Sequence, residues 1–587
     1  MPSHAQHASS IATWPHVSIL LRAAAQRAAA RMLRPARLFP GRSVTLRAQG
    51  LALHVPAPAR AVLARGADIY RGLWRLAGHE VHAGGRTVFD RADAPARWQE
   101  ELHSFDWIFE LLQPGQRLWR LTARQLVLDW ARCLRRRGLP EAALRPAVAG
   151  RRMINLVAAA PLLLEEAEDD FAPRLMQLFT NQMRMLRRQP LAGLLAADAL
   201  WVVMAQAHAA LGIVGFERVR EACLRQLDVE LRRQFLPDGG HVSRAPKVLL
   251  ELLAVLLPLR RALEHLGLEP PAGLRAATEK GLPMLRFFQH ADGGLALFHG
   301  GDAPCRGRVQ ALLDMDTVGG APLTHAPHSG FARLARGGSV VLVDAGAPAA
   351  PMRHAAAALS PLALEFSCES GRIFTSCGAP MNGDPRLSVA ARLSAAHCMP
   401  MLDEADAGVL LDNALTRSLL GQPLAGGAPV AAEVVASDAG MLLEASHEAY
   451  GLRVRRRLFL SDDGNDLRGE DAFLPADGAG EARSHVIRFH VHPAVKASLS
   501  RDGRSVLLVL PNRVAWSFSV RDGAVALEES LFMAGDAGPR PTRQIVVRGD
   551  IPAGGRVVHW KLTRIAATKG TRSRRNAREN APMLPLE

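Results

Sequence analysis

Cysteine is sparse in this 587-residue chain, and its six cysteines (Cys133, Cys223, Cys305, Cys368, Cys377 and Cys398) are scattered with no C-x-x-C pair. That spacing indicates neither a zinc ribbon nor a disulfide framework, so free and mostly buried thiols are expected. Also missing at the N-terminus is a basic stretch followed by an apolar one. The first residues are instead Ser/Ala-rich, Arg-rich and amphipathic, so no cleavable signal peptide is read there. The nearest approach to a membrane-length apolar run, Leu191 to Phe216, is broken by Asp198, Gln206 and His208, which points to a buried helix and not to a transmembrane segment. There is no internal repeat of fixed period. No helix-turn-helix, zinc-finger or RNP-like motif occurs either, so a specific nucleic-acid partner has only charge in its favour. Acidic residues are in deficit, 56 against 72 Lys and Arg, leaving a formal net charge of +16. Such an excess favours an anionic partner or, more blandly, an Arg-rich surface.

What is present falls into two textures. From about Ala57 to Gln289 apolar residues recur at helical spacing, as in Val62-Leu63-Ile69-Leu73 and Ile154-Leu156-Leu162-Leu163-Leu164, with Pro or Gly between segments. The segment RAPKVLLELLAVLLPLRRALEHLG is apolar nearly all round, which requires cover from other helices, as in a double-layered toroid or a large bundle. After Asp292-Gly293-Gly294 come short β-type runs such as SVVLVDAG, GLRVRRRLFLS, HVIRFHVHP, RVAWSFSV and RVVHWKL. Asp463-Gly464, Asp502-Gly503 and Asp522-Gly523 each lie between two such runs and predict hairpins. The expected organisation is an arm at 1–40, a helical domain at 41–300, an antiparallel β-sandwich at 301–566 and a basic, disordered tail at 567–587.

Taken in order, Arg151-Arg152-Met153-Ile154-Asn155, LPDGGHVSRAPKVLLELL, HADGGLALFHGGD, HAPHSGFARL, VLVDAGAP, LALEFSCESGRIFTSCGAP, RLSAAHCMPML, DDGNDLRGEDAF and VIRFHVHP resemble the pattern of the heparinase II/III family. The resemblance spans roughly Ala36 to Ile565. It implies an α+β multidomain fold, an N-terminal (α/α) toroid followed by a C-terminal antiparallel β-sandwich, in agreement with the two textures. It further implies a carbon–oxygen lyase that cleaves an acidic, uronate-containing polysaccharide such as a glycosaminoglycan by β-elimination, in the cell envelope. The chemistry needs a group to neutralise the uronate carboxylate, a base for the α-carbon proton and an acid for the leaving oxygen.

Carried over residue by residue, the resemblance gives Asn155 as the carboxylate-neutralising amide and His241, Arg244 and His397 as further catalytic candidates. Arg152, Asp238, His328 and His354 fall in phrases expected to line the substrate. Departures are plain. The family tyrosine falls on Val248 and its neighbouring histidine on Leu249, and the chain has only two tyrosines, Tyr70 and Tyr450. A sandwich histidine falls on Ala358, with His354 upstream but out of register. Asp344 and His397 match positions that hold a structural zinc in some relatives, and His354 or Cys398 would have to complete the four ligands that zinc prefers. The alternative to a lyase is a protein that keeps the fold and binds a polyanionic glycan without cutting it.

Overall fold

The computed structural model describes residues 46–565 apart from short stretches at 53–54, 59–64, 85–86, 91–92, 137–138, 304–305, 317–318, 351–352, 370, 412–421, 476–481 and 522, and before them only Leu21 and Ala25. Apart from Leu21 and Ala25, the expected N-terminal arm lies outside the described residues, as does the C-terminal tail.

The helical half comprises α1 (Ala96–Ser104), α2 (Arg117–Arg135), α3 (Pro146–Leu164), α4 (Phe171–Arg187), α5 (Ala196–Gly212), α6 (Glu217–Gln234), α7 (Pro246–His265) and α8 (Ala272–Phe287). The helices pack in a continuous series, α3 on α5, α5 on α6, α6 on α8 and α8 on α7, in keeping with a toroid. The expected apolar run is α5, and it is buried almost throughout. Its small residues permit close approach. A Cβ on Gly150 of α3 would lie 2.5 Å from the Trp201 carbonyl oxygen of α5, so only glycine allows the two backbones to meet there. Among the described helices α3 is long and apolar enough to span a membrane, but 72% of that window is buried by its neighbours. The helical unit runs past the expected limit at 300, because a further helix, α9 (Arg306–Leu313), packs against α7.

The sandwich half begins with a five-stranded antiparallel sheet in sequential order, β1 (His325–Ala326), β2 (Phe331–Arg336), β3 (Ser339–Asp344), β4 (Leu364–Cys368) and β5 (Gly371–Phe374). It continues with β6 (Pro400–Leu402), β7 (Ala431–Ser437), β8 (Gly440–His447), β9 (Leu452–Ser461), β10 (Asp466–Pro475), β11 (Arg483–His490), β12 (Lys496–Leu499), β13 (Ser505–Val509), β14 (Ala515–Val520), β15 (Val525–Phe532), β16 (Arg540–Ile551) and β17 (Arg556–Ile565). Eight of these form one sheet in the order β7-β8-β9-β10-β17-β14-β13-β12, and four form another in the order β6-β11-β16-β15. Alternating burial along β9 and β14 puts one face of each strand on the core.

Two of the three Asp-Gly turns are hairpins, joining β9 to β10 and β12 to β13. Gly464 sits at φ +70°, and a Cβ there would come within 2.3 Å of the Arg336 carbonyl oxygen, so the turn packs on the β2–β3 turn. The third turn is not a hairpin. The chain after β14 leaves the eight-stranded sheet, and β15 pairs with β16 in the other one. An Asp-Gly pair reports a reversal of the chain but not the partner of the strand that follows.

Aromatic rings fill the sandwich core, with Phe489 against Trp560 at 4.9 Å and Phe366 against Trp516 at 5.3 Å between centroids. Within that core Arg456 is fully buried. It grips Asp471 with two bonds of 2.6 and 2.9 Å and donates to the carbonyls of Leu362 and Cys398, while Trp560 donates to the same carboxylate. Removing one member leaves an uncompensated buried charge, so Arg456→Ala is expected to lose about 3–5 kcal/mol of stability. Replacing both by Met and Leu should recover most of that loss. Urea midpoints of the single and double variants check it, and an unchanged midpoint in Arg456→Ala would refute it.

Candidate functional site at the toroid–sandwich junction

The two halves are joined through a shared apolar layer, in which Leu249, Leu250 and Leu253 of α7 pack with Phe288, Phe298, Phe331, Met399 and Met401. Above this layer lies a set of buried polar contacts built on the loop before α7. Arg244, in the left-handed region at φ +58°, donates to the carbonyl oxygens of Ser329 (2.8 Å), Gly330 (2.9 Å), Gly346 (3.4 Å) and Ala347, and to the Asp344 carboxylate at the end of β3. Its guanidinium carbon lies 4.8 Å from the centre of the Phe331 ring. Burial raises the Asp344 carboxyl, but Arg244 and then His299 outweigh it and hold it well below the usual range. Ser360 donates to the same carboxylate at 2.7 Å, and the His299 Nε2 lies 3.2 Å away.

The expected site residues divide on this frame. Arg244 is a junction latch whose donors are taken, so it is not available to a substrate carboxylate. His241 is buried between Ser243 Oγ (2.8 Å) and Gln234 Oε1 (3.0 Å). Burial, with His354 and Arg353 adding to it, pushes this imidazole down to about 3, so it does not fit the expected role of a neutral-range base. Asp238 is a turn residue that accepts from the backbone N–H (2.7 Å) and hydroxyl (2.6 Å) of Ser329, pinning the toroid to the β1–β2 turn. Arg152 is wholly buried on Trp130 and donates to the carbonyls of His103 and Ala143, so it lines no substrate path. Burial brings it down to about 9. Asn155 is also buried, its amide donating to Ser104 O at 3.0 Å and to Asp106.

His397 is buried against Ser376 Oγ at 3.1 Å and pushed down to about 4 by burial. His354 is half-buried, contacts the His299 carbonyl oxygen at 2.8 Å and is likewise brought to about 4 by burial. Of the expected imidazoles only His328 is exposed. The residues expected to hold zinc are engaged elsewhere. Asp344 is engaged by Arg244 and Ser360, and Cys398 is turned to Thr375 O and His490 N, its thiol pushed up by burial. Among the described residues no group of three or more His, Cys, Asp or Glu is placed to hold a metal.

The structure also assembles groups that the sequence reading passed over. Arg151 lies one turn before Asn155 on the same face of α3. Its Nη2 meets the Glu251 Oε2 of α7 at 2.6 Å, and its guanidinium stacks 4.4 Å from the Trp201 ring centre. One turn earlier on α7, Lys247 lies 3.9 Å from Glu251 Oε1 and also binds Asp302. The Asp302 loop has left-handed His299, Gly300 and Ala303, and it is tied to the sandwich by Ala379 N–H to Gly301 O (2.8 Å) and Gly535 N–H to Asp302 O (3.1 Å). Burial raises the Glu251 carboxyl, yet Arg151, followed by Lys247, Arg308 and Arg97, brings it down to about 2. The available signal was the i,i+4 pair in PKVLLE next to the displaced tyrosine position.

The heparinase II/III-like C-terminal domain matches residues 318–561. FtsZ-localized protein C of Caulobacter vibrioides is 33% identical over 538 residues, covering 88% of this chain and 91% of that protein. Among solved structures, heparinase III aligns over 96% of this chain and 94% of its own with a TM-score of 0.66 at 12% identity. A mutant of heparan sulfate lyase HepC from Pedobacter heparinus aligns over 96% and 93% with a TM-score of 0.58 at 13% identity. These structures share its fold, a toroid followed by a sandwich; with the heparinase II/III-like C-terminal domain and 33% identity to FtsZ-localized protein C over most of both chains, the chain belongs to the heparinase II/III family.

Proposed function

We propose that this chain is a glycan-binding protein on the polysaccharide-lyase fold, acting where FtsZ assembles and not cutting uronate glycans by elimination. The observation that carries the reading is the state of the proton-transfer candidates. The tyrosine position is Val248, which packs with the helical core. Tyr450 donates its hydroxyl to Ala405 O at 3.2 Å, and burial pushes its phenol up. Tyr70, at the end of the short helix Gly66–Tyr70, is exposed and lies tilted 6.5 Å from the Trp119 ring centre, away from the junction contacts of Arg244 and Asp344. Burial shifts His241, His354 and His397 well below the neutral range, which makes each a weak base, and loss of a positioned acid or base removes about 10²- to 10⁴-fold of rate. The FtsZ association rests on the 33% identical relative, whose name states that localisation. A ligand drawn from an envelope glycan or its precursor suits both the fold and that location.

Incubation with heparin, heparan sulfate, hyaluronan and alginate is expected to leave the ultraviolet absorbance of unsaturated uronate flat. A sustained rise that is lost in His328→Ala, the exposed imidazole, would instead establish a lyase. A fluorescent fusion expressed with FtsZ should follow the FtsZ ring, and a diffuse signal would remove that part of the reading.

The buried imidazoles also set a pH dependence. Their folded-state values, about 3 for His241 and about 4 for His354 and His397, lie below the ordinary histidine value of about 6.5. Below that value the unfolded chain takes up protons that the folded one refuses, so their contribution is complete above about pH 6.5 and drains as pH falls toward 4. Melting temperature should therefore decline through that interval. His241→Gln should flatten the decline, and a profile identical to that of the parent chain would contradict the assignment.

A further inference from the structure

The three large sheets of the sandwich close their edges in different ways, and one edge stays open. β6 has three residues and begins with Pro400, which has no N–H to offer. β12 has four residues and carries Lys496, and β15 lies against β12 and β13. β1 has two residues, and Phe374 of β5 bridges to Val491. Short, charged or covered strands of this kind do not template another chain. β7 differs. It runs for seven residues, Ala431–Ser437, with no proline, no lysine and no bulge in its register with β8, and among the described residues no strand pairs with its other side. Every second backbone N–H and C=O along that side points outward, as on any antiparallel edge.

We propose that β7 accepts an extended segment of a partner protein as a further antiparallel strand, with an aliphatic residue opposite Val435 and an arginine or lysine opposite Glu433. The two faces of β7 dictate that choice. On the inner face Ala432 and Val434 pack on the sandwich core, so partner residues beside them continue an apolar layer. On the outer face Val435, 51% exposed, stands opposite Leu442, which in turn stands opposite the half-buried Phe459, an apolar row that stops at the edge. One outward pair further along, Glu433 stands directly opposite Glu444. Like charges so placed repel. Arg457 of β9 meets Glu444 at 3.2 Å, whereas the exposed Glu433 has no ion-pair partner among the described residues. A cation brought in on the partner strand would flank the two glutamates on the side that Arg457 does not reach.

A second copy of this chain does not meet the requirement. Two-fold pairing of β7 with itself sets residues of the same face opposite each other, and from Val430 to Asp438 the chain carries no cation, so Glu433 would meet an uncharged residue or its own copy. A separate segment is free of that constraint. Its main-chain bonds to β7 supply affinity, and its alternate side chains supply selectivity. None of the residues involved belongs to the Arg244–Asp344 contacts, and the inference stands apart from glycan binding.

Fluorescence anisotropy with the full chain tests this using two labelled, end-capped peptides: Ser-Thr-Ile-Val-Arg-Val-Thr-Ser, and the same peptide with glutamate in place of arginine. Laid antiparallel, the first sets its isoleucine opposite Val435 and its arginine opposite Glu433. It is expected to bind at least about fivefold tighter than the second. Glu433→Lys, at an exposed position that the fold does not depend on, should reverse the order, and Val435→Asp should weaken both peptides. Equal affinity of the two peptides, binding of neither, or an order that Glu433→Lys leaves unchanged overturns the assignment. So does a dimer of the parent chain in sedimentation equilibrium that Val435→Asp disperses, since that would give the edge to a second copy.

Discussion

The contact on which the rest of the molecule depends is the buried ion pair of Arg244 and Asp344. Two charges taken out of water are costly unless their remaining hydrogen-bonding capacity is filled, and here the sandwich half fills it. Arg244 reaches four carbonyl oxygens of the sandwich, and Asp344 accepts from Ser360 as well. To aim its side chain this way Arg244 adopts a left-handed backbone, a local strain that persists because the surrounding bonds over-determine it. The next turn of chain is the start of α7. Fixing Arg244 against the sandwich therefore fixes the direction in which Lys247 and Glu251 leave the helix.

This dependence explains how much of the molecule was legible from residues alone. The helical and strand textures were, since each element's apolar period reports the face it buries, and α5 and β9 fold as their patterns require. Loop function was not. Asp238, His241 and Arg244 form the same kind of polar cluster whether they greet a substrate or another domain, and only the partners' positions distinguish the two. Those partners, Ser329, Gln234 and Asp344, lie up to 100 residues away in sequence. Asn155 shows the same ambiguity on a helix: its spacing from Arg151 was readable, but that Ser104 and Asp106 would close over its amide was not.

Net charge was the other signal that pointed away from the site. An excess of sixteen positive charges favoured an anionic partner, yet arginines on the sandwich surface are spent in pairs, such as Arg453 with Glu448, Arg455 with Glu470 and Arg457 with Glu444. Exposed pairs of this kind contribute at most about 1 kcal/mol each and select no ligand. At the junction the same residue types are few, half-buried and matched one to one with carboxylates. Since screening weakens an exposed charge over about 8 Å in physiological salt while a partly buried one keeps its field, the paired groups at the junction shape the local potential more than the surface excess does. The order of signs at the junction is a local property, which a sum over the sequence averages away.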